Sequence, residues 1–252
     1  MSSTSPKIIS ASASLAIFSI LTCVYFLMRY LFLDGYKKSN AALSYLFTGV
    51  YLIASIGAQF AINFQNSKTH CGGEPQLIST FIYTVLPNFT VFGLIMLLLF
   101  LFPGWRAPFA NTFGYAIAYV LGIKGIFNNM LPSKSGNKLI QQVCEDSSTF
   151  INEITPENFD AFIGRMRQNK LLSSGADQYI PQLYNLVMVK DNTAKLIWYL
   201  LTGCLVISTS YNAIMGIQCS RDPNALSEKQ KQWSEKVNSE KPKQEKLFAI
   251  TD

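Results

Sequence analysis

The sequence predicts an all-α, polytopic membrane protein: a bundle of transmembrane helices with a small helical domain outside the bilayer. Four stretches of the chain contain no charged side chain, namely residues 8–28, 39–67, 75–105 and 196–220. Each exceeds the roughly 20 apolar residues that a helix needs to cross about 30 Å of hydrocarbon. Because backbone amides in lipid must be hydrogen-bonded within their own segment, and the runs are too long for strands, we expect helices.

The first two spans are predicted over residues 8–30 and 41–64, joined by a short polar loop that makes them an antiparallel hairpin. Arg29, Lys37 and Lys38 make this loop more basic than the second loop, which carries Lys68. The positive-inside rule therefore places the first loop in the cytosol and both ends of the hairpin on the other side. The first span is expected to be retained, because no small-residue cleavage site follows a short apolar core as in a signal peptide.

The third span is predicted over residues 77–102 and the last over residues 196–217. Pro87 lies inside the third span, where it removes a backbone donor, so we expect a kink there. Asn88 could satisfy a carbonyl that the kink frees. Lys195 and Trp198 introduce the last span with a pair of side chains suited to the headgroup level.

The segment 109–127 has two possible structures, a fifth span or an interfacial helix. It is uncharged for only a short distance before Lys124. Gly114, Ala118 and Gly122 share one helical face, and this pattern of small residues favours close packing of transmembrane helices. The opposite side carries apolar side chains that could lie in lipid as an interfacial helix does: Phe113, Ile117, Val120 and Phe127.

Four regions are expected: a membrane region over residues 1–130, an extramembrane domain over 131–192, the last span within 193–219, and a polar charged tail over 220–252. The domain is predicted to hold two or three short helices, one of them opening at Thr155, Pro156 and Glu157. About 60 residues bury little core, so we expect the domain to rest on the bilayer or on a partner. Contact with other proteins is its expected role.

Cys71 and Cys219 are a possible disulfide. If segment 109–127 does not cross, four spans bring both cysteines to the same side of the membrane, away from the basic loop. If the segment does cross, the membrane separates them. The alternative is five unpaired cysteines in a reducing compartment.

The sequence contains none of the common catalytic motifs, so we expect no enzymatic activity and no cofactor. His70 is the single histidine, and it has only Cys71 beside it, which is too few ligands for a metal site. The net charge of +6 is spread along the chain, so nucleic-acid binding is not expected. The spans offer neutral amides such as Gln59 and Asn63, which more often join helices than carry a small-molecule substrate.

The run Phe-Pro-Gly-Trp-Arg-Ala-Pro-Phe-Ala-Asn-Thr-Phe-Gly-Tyr over residues 102–115, with Ser210, Tyr211 and Asn212 in the last span, resembles membrane proteins of large nucleocytoplasmic DNA viruses. The resemblance implies a structural protein of the virion, set in the internal bilayer beneath the capsid. Its partners would be lipid and other capsid or membrane proteins of the minor capsid layer. The resemblance makes one interfacial turn a possible docking site: Pro103, Trp105, Arg106 and Pro108.

A structural protein linking the internal membrane of a virion to its capsid is therefore the first expectation. The alternative is a cellular four-helix membrane adaptor or a small transporter. Read from the residues alone, the turn at 103–108 is a rigid loop whose Trp105 and Arg106 anchor at headgroup depth.

Overall fold

The computed structural model describes residues 7–36, 40–132, 148–219 and 223–240, and in these ranges it contains helices and turns but no strand. Four helices of the described chain are long and apolar enough to cross a membrane: Ala11–Phe32, Ala41–His70, Leu77–Leu101 and Ala176–Met215. The predicted all-α membrane helix bundle is therefore confirmed. None of these four helices contains segment 109–127.

The first two helices, α1 (Ala11–Phe32) and α2 (Ala41–His70), each begin at a side-chain cap. The Ser10 hydroxyl accepts a hydrogen bond from the backbone N–H of Ala13 at 3.2 Å. The Asn40 side chain accepts one from the N–H of Leu43, also at 3.2 Å. These caps satisfy amides that the first helical turn leaves without an intrahelical partner.

The third helix, α3 (Leu77–Leu101), is wound irregularly at its centre. Directly after Pro87 the backbone forms a π-helical stretch, Asn88–Gly93, before the α-helix resumes. The side-chain amide of Asn88 donates to the carbonyl of Thr84 at 2.8 Å. The disturbance expected at the proline thus takes the form of a wider helical turn, with a side-chain amide bonded to the backbone beside it.

Residues 107–120, here α4, show that segment 109–127 is not the single helix that both expectations assumed. Its α-helical turns are interrupted by π-helical Ala110–Gly114, and Gly122, at φ 96°, separates it from α5 (Ile123–Met130). The segment is neither one continuous span nor one flat helix. Ala118 and Phe127 are 0% and 1% exposed in the core of a helical domain, so the segment forms a wall of that domain.

The helical domain contains α4, α5, α6 (Ser148–Glu153), α7 (Phe159–Gln168) and the first half of α8 (Ile180–Met215). The core of the domain therefore begins before residue 131, where the boundary was predicted. Helices α4 and α5 add apolar side chains to those that residues 131–192 contribute. Helix α7 begins at Phe159, later than the predicted opening at Thr155. Side chains from all five helices form the core, among them Ala118, Ile123, Phe127, Ile151, Phe159, Ile163, Leu183 and Val187.

Helix α8 belongs to both the domain and the bundle. Its 36 residues make it about 54 Å long, well beyond the roughly 30 Å of a hydrocarbon core. The expected boundary between domain and span, near residue 193, lies inside this unbroken helix. Beyond the bundle, α9 (Pro223–Glu240) is a helix of the charged tail whose Trp233 is 68% exposed.

The core of the bundle is aromatic where α1, α2, α3 and α8 meet. Its buried rings are Phe18, Tyr25, Phe26, Tyr51, Phe92 and Tyr199. Gly203 of α8 faces the ring of Phe18, so closely that a Cβ atom there would overlap the ring. This glycine therefore sets the separation of α1 and α8.

Candidate functional site

Arg106 lies at the centre of a charged junction between the bundle and the helical domain. Its guanidinium donates to the Asp191 carboxylate at 2.6 Å and to the Glu157 carboxylate at 2.7 Å. Asp191 also forms an ion pair with Lys195, one helical turn along α8, at 2.7 Å. The side chains of Arg106 and Asp191 are 4% and 6% exposed, so this ion pair is buried.

A second ion pair lies at the end of α1 and is hydrogen-bonded to the same part of α8. The Nε atom of Arg29 donates to both carboxylate oxygens of Asp34 at 3.2 Å. The side-chain amide of Asn192 donates to Asp34 at 2.7 Å. The two groups meet at the adjacent residues Asp191 and Asn192 of α8, and we call them together the junction network: Arg29, Asp34, Arg106, Glu157, Asp191, Asn192 and Lys195.

The junction network contains three cationic and three anionic side chains, and their mutual attraction offsets the cost of burial. Burial on its own would lower the pKa of Arg106, but the carboxylates of Asp191 and Glu157 raise this pKa above its ordinary value. Arg106 is therefore a permanent cation. A buried charge of this kind holds its partners in one geometry, because removing either partner leaves the other unpaired.

The predicted interfacial turn has two faces in the structure. Residues Pro103–Arg106 form a 3₁₀ turn in which Trp105 is 47% exposed, and Pro103 and Pro108 are exposed as well. The indole N–H of Trp198 donates to the backbone carbonyl of Trp105 at 2.9 Å. Arg106 does not extend outward from the turn as a surface anchor: its guanidinium points inward to Asp191, which leaves the rest of the turn as the accessible surface.

The three small residues predicted to pack helices separate in the structure. At Gly114, α4 touches the backbone of α8, because an added Cβ would lie 2.5 Å from the carbonyl oxygen of Lys190. Ala118 is buried in the domain core. Gly122 is exposed at a turn with positive φ, so it serves the chain reversal and not helix packing. The shared face ends at the turn because α4 ends there.

Inside the bundle, several buried polar side chains are neutral groups that are hydrogen-bonded between helices. The hydroxyl of Ser14 donates to the side-chain carbonyl of Gln59 at 2.9 Å. The side-chain amide of Asn63 donates to the hydroxyl of Thr84 at 2.9 Å. These bonds link α1, α2 and α3, as expected for amides that join transmembrane helices.

At the end of the bundle opposite the junction network, Cys71 and Cys219 form a disulfide. Their Cα atoms lie 5.4 Å apart, and the bond closes 148 residues of sequence. Ile214 and Ile217 pack against Cys71, so the link is partly covered by apolar side chains. The disulfide joins the end of α2 to the chain just after α8. The junction network contacts α8 nearer its start, at Asp191, Asn192 and Lys195.

An open cavity of about 240 Å³ adjoins the junction network. Its charged lining consists of Arg29, Asp34, Glu157 and Lys195. Among the residues that the structure describes, no group of three or more His, Cys, Asp or Glu side chains is placed to hold a metal ion. The site therefore offers ion pairing and hydrogen bonding.

Comparisons with protein-family models, with curated proteins and with solved structures found no match for this chain. A functional assignment must therefore rest on the residues and their geometry.

Sequence reasoning identified Arg106 but none of its partners. Asp191 and Asn192 lie a few residues before the last uncharged run, and Lys195 follows Asp191 at the spacing of one helical turn. The signal available in the sequence was an acidic and a basic residue four positions apart at the edge of a span, a spacing that favours an ion pair on a helix. Nothing in the sequence relates Asp34 to Asn192, which are 158 residues apart.

Proposed function

We propose that this protein is a structural membrane protein whose bundle holds the helical domain at a fixed position beside the bilayer, where other proteins dock. The observation that carries the proposal is the continuity of α8, which runs from the core of the domain through the bundle without a break. The junction network holds this helix at Asp191, Asn192 and Lys195, within its first half, and the disulfide holds the chain just after its end. A rigid connection is suited to positioning and contributes no chemistry.

Two observations support a cytosolic position for the domain. The loop between α1 and α2 is the more basic of the short loops, and it lies on the same side as the domain. The disulfide between Cys71 and Cys219 lies on the other side, and disulfides persist in oxidising compartments.

The exposed side of α4 is the surface that we propose for docking. Phe113, Val120 and Leu121 are 58%, 83% and 56% exposed. The buried side of α4 contacts α8 at Lys190, which precedes the uncharged run of α8 by two helical turns. At 1.5 Å per residue that contact is about 9 Å outside the apolar span, so a protein partner fits this surface better than acyl chains do.

The narrower form of the proposal is a virion protein that links an internal membrane to the capsid. It rests on the resemblance of residues 102–115 to membrane proteins of large DNA viruses. The exposed parts of that run, Trp105, Pro108 and Phe113, would contact the minor capsid layer.

Site-specific photocrosslinking tests the docking surface. A photoreactive residue at Val120 should yield one discrete protein adduct in membrane-containing particles, and the same residue at exposed Asn128 serves as the control. Lipid adducts at Val120 would instead make α4 an interfacial helix. The proposal of a virion protein fails if the protein does not remain with purified particles. A change in solute flux in proteoliposomes would favour the alternative of a small transporter.

Thiol labelling tests the topology. Ser174→Cys in the domain and Gln230→Cys in α9 are made separately after Cys23, Cys144 and Cys204 are replaced, with the disulfide retained. A membrane-impermeant reagent outside sealed microsomes should label Ser174→Cys and leave Gln230→Cys unlabelled. Labelling of Gln230→Cys alone would reverse the orientation.

A further inference from the structure

The cavity beside the junction network lies at the depth of the lipid headgroups. Arg29 directly follows the uncharged run of α1, and Lys195 directly precedes the uncharged run of α8. Both residues line the cavity. Charged side chains at the ends of transmembrane helices lie where hydrocarbon gives way to headgroups, so the cavity opens at that level.

The size of the cavity fits a headgroup and not a whole lipid. Its volume of about 240 Å³ is below the roughly 300–1,000 Å³ of pockets that enclose drug-sized ligands. Ser44 on its wall stands between Leu43 and Tyr45, which are 45% and 62% exposed on the outer surface of α2. A headgroup held here can therefore keep its acyl chains in the bilayer beside α2.

The charges on the wall favour a ligand that carries both signs. Arg29 and Lys195 supply two cations, and Asp34 and Glu157 supply two anions, so among the residues that the structure describes the formal charge of the lining is zero. Asp34 is 6% exposed and Glu157 is 48% exposed, which places one carboxylate deep in the wall and one near the solvent. A purely anionic ligand would meet two carboxylates with no cation of its own.

We propose that this cavity binds the headgroup of a phosphatidylethanolamine lipid. The phosphate lies against Arg29 and Lys195, and the primary ammonium donates hydrogen bonds to Glu157 and Asp34. A choline headgroup has the same charges, but its quaternary nitrogen has no N–H to donate. The cavity therefore distinguishes the two zwitterionic lipids by hydrogen bonding, and it rejects anionic lipids by its carboxylates.

Native mass spectrometry of the full chain tests this assignment. The protein is released from nanodiscs that contain equal amounts of phosphatidylethanolamine, phosphatidylcholine and phosphatidylglycerol with identical acyl chains. Phosphatidylethanolamine should be retained about tenfold over each of the others, since charge-assisted hydrogen bonds are the strong ones. Equal retention of all three lipids, or preference for phosphatidylglycerol, overturns the proposal.

Three variants make the test specific. Glu157→Gln should reduce the preference for phosphatidylethanolamine over phosphatidylcholine well below about tenfold, because Asp34 is then the one carboxylate left to accept from the ammonium. Asp177→Asn, which alters an exposed ion pair with Arg167, should leave the preference unchanged. Ser44→Phe fills the cavity with every charge in place, so it should abolish the preference even if Glu157→Gln fails to fold. Persistence of the preference in Ser44→Phe would place the lipid elsewhere and overturn the proposal.

Soluble phosphoethanolamine separates the lipid from its free headgroup. Added at millimolar concentration to the protein in phosphatidylcholine nanodiscs, it should not bind measurably, because the acyl chains are what hold the headgroup at the cavity. Binding as strong as that of the lipid would assign the cavity to a soluble ligand and overturn the lipid assignment.

Discussion

The bundle and the junction network both bury polar side chains, but they bury opposite kinds. In the bundle, neutral groups such as Gln59 and Asn63 bond to hydroxyls on neighbouring helices. In the junction network, Arg106 and Asp191 are equally buried and fully charged. The difference reflects the surroundings of the two regions, because the free-energy cost of placing an ionised side chain in hydrocarbon is far larger than that of a neutral amide.

The two regions therefore restrain the same helix in different ways. Neutral interhelical bonds in membranes are individually weak, because the unfolded chain in lipid also finds partners for these groups. A buried ion pair is sensitive to the loss of one member, because the remaining charge stays in the protein without compensation. Substitutions at the junction should thus cost more than substitutions of similar size in the bundle.

Arg106→Gln should have the largest effect. It leaves Asp191 buried with Lys195 alone, and breaking a buried pair in this way costs about 3–5 kcal/mol. The measurement is the free energy of unfolding in mixed micelles titrated with denaturing detergent. Arg167→Gln is the matched control, because its ion pair with Asp177 is exposed and should cost no more than about 1 kcal/mol.

An equal loss in both arginine variants would remove the distinction between a buried junction and a surface ion pair. Loss of the helical domain with the bundle intact would instead show that α8 does not couple the two regions.

Gly203→Ala should have the second largest effect, and it tests packing in the bundle without touching a polar group. The added Cβ would overlap the Phe18 ring, so α1 and α8 must separate at a cost of about 1–3 kcal/mol. Gly57→Ala is the control, because no atom lies within 4 Å of the position that its Cβ would take. Unfolding free energies in the same micelles compare the two.

Phe18→Leu should restore part of the stability lost in Gly203→Ala, because the smaller side chain vacates the space that the Cβ requires. A double variant less stable than the sum of the two single losses would contradict a direct steric contact.

Hydropathy alone was sufficient to predict the four long helices and the all-α class, because the requirement for internal hydrogen bonding in lipid leaves few alternatives. It could not resolve segment 109–127. An apolar segment that lines a domain core has the same composition as one that enters lipid. The deciding contact is the approach of Gly114 to the backbone of Lys190, and that contact joins residues far apart in sequence.

The junction network was beyond prediction for the same reason. Arg106 was singled out, but its role was assigned from local sequence, where Trp105 and two prolines are typical of an interfacial turn. Its partner Asp191 is 85 residues away. The proximity of the two depends on how α4, α5, α6 and α7 fold back onto α8, so only the tertiary structure shows that Arg106 is buried.

Thr84→Val should have the smallest effect and completes the comparison. It removes the hydroxyl that accepts the hydrogen bond from Asn63 but keeps the shape of the side chain, and bonds of this kind average about 0.6 kcal/mol in a membrane bundle. Thr209→Val is the control, because Thr209 is exposed and bonds only within its own helix, to the carbonyl of Leu205. A loss at Thr84 as large as that at Arg106 would mean that the bundle depends on its neutral polar contacts as strongly as the junction depends on its charges.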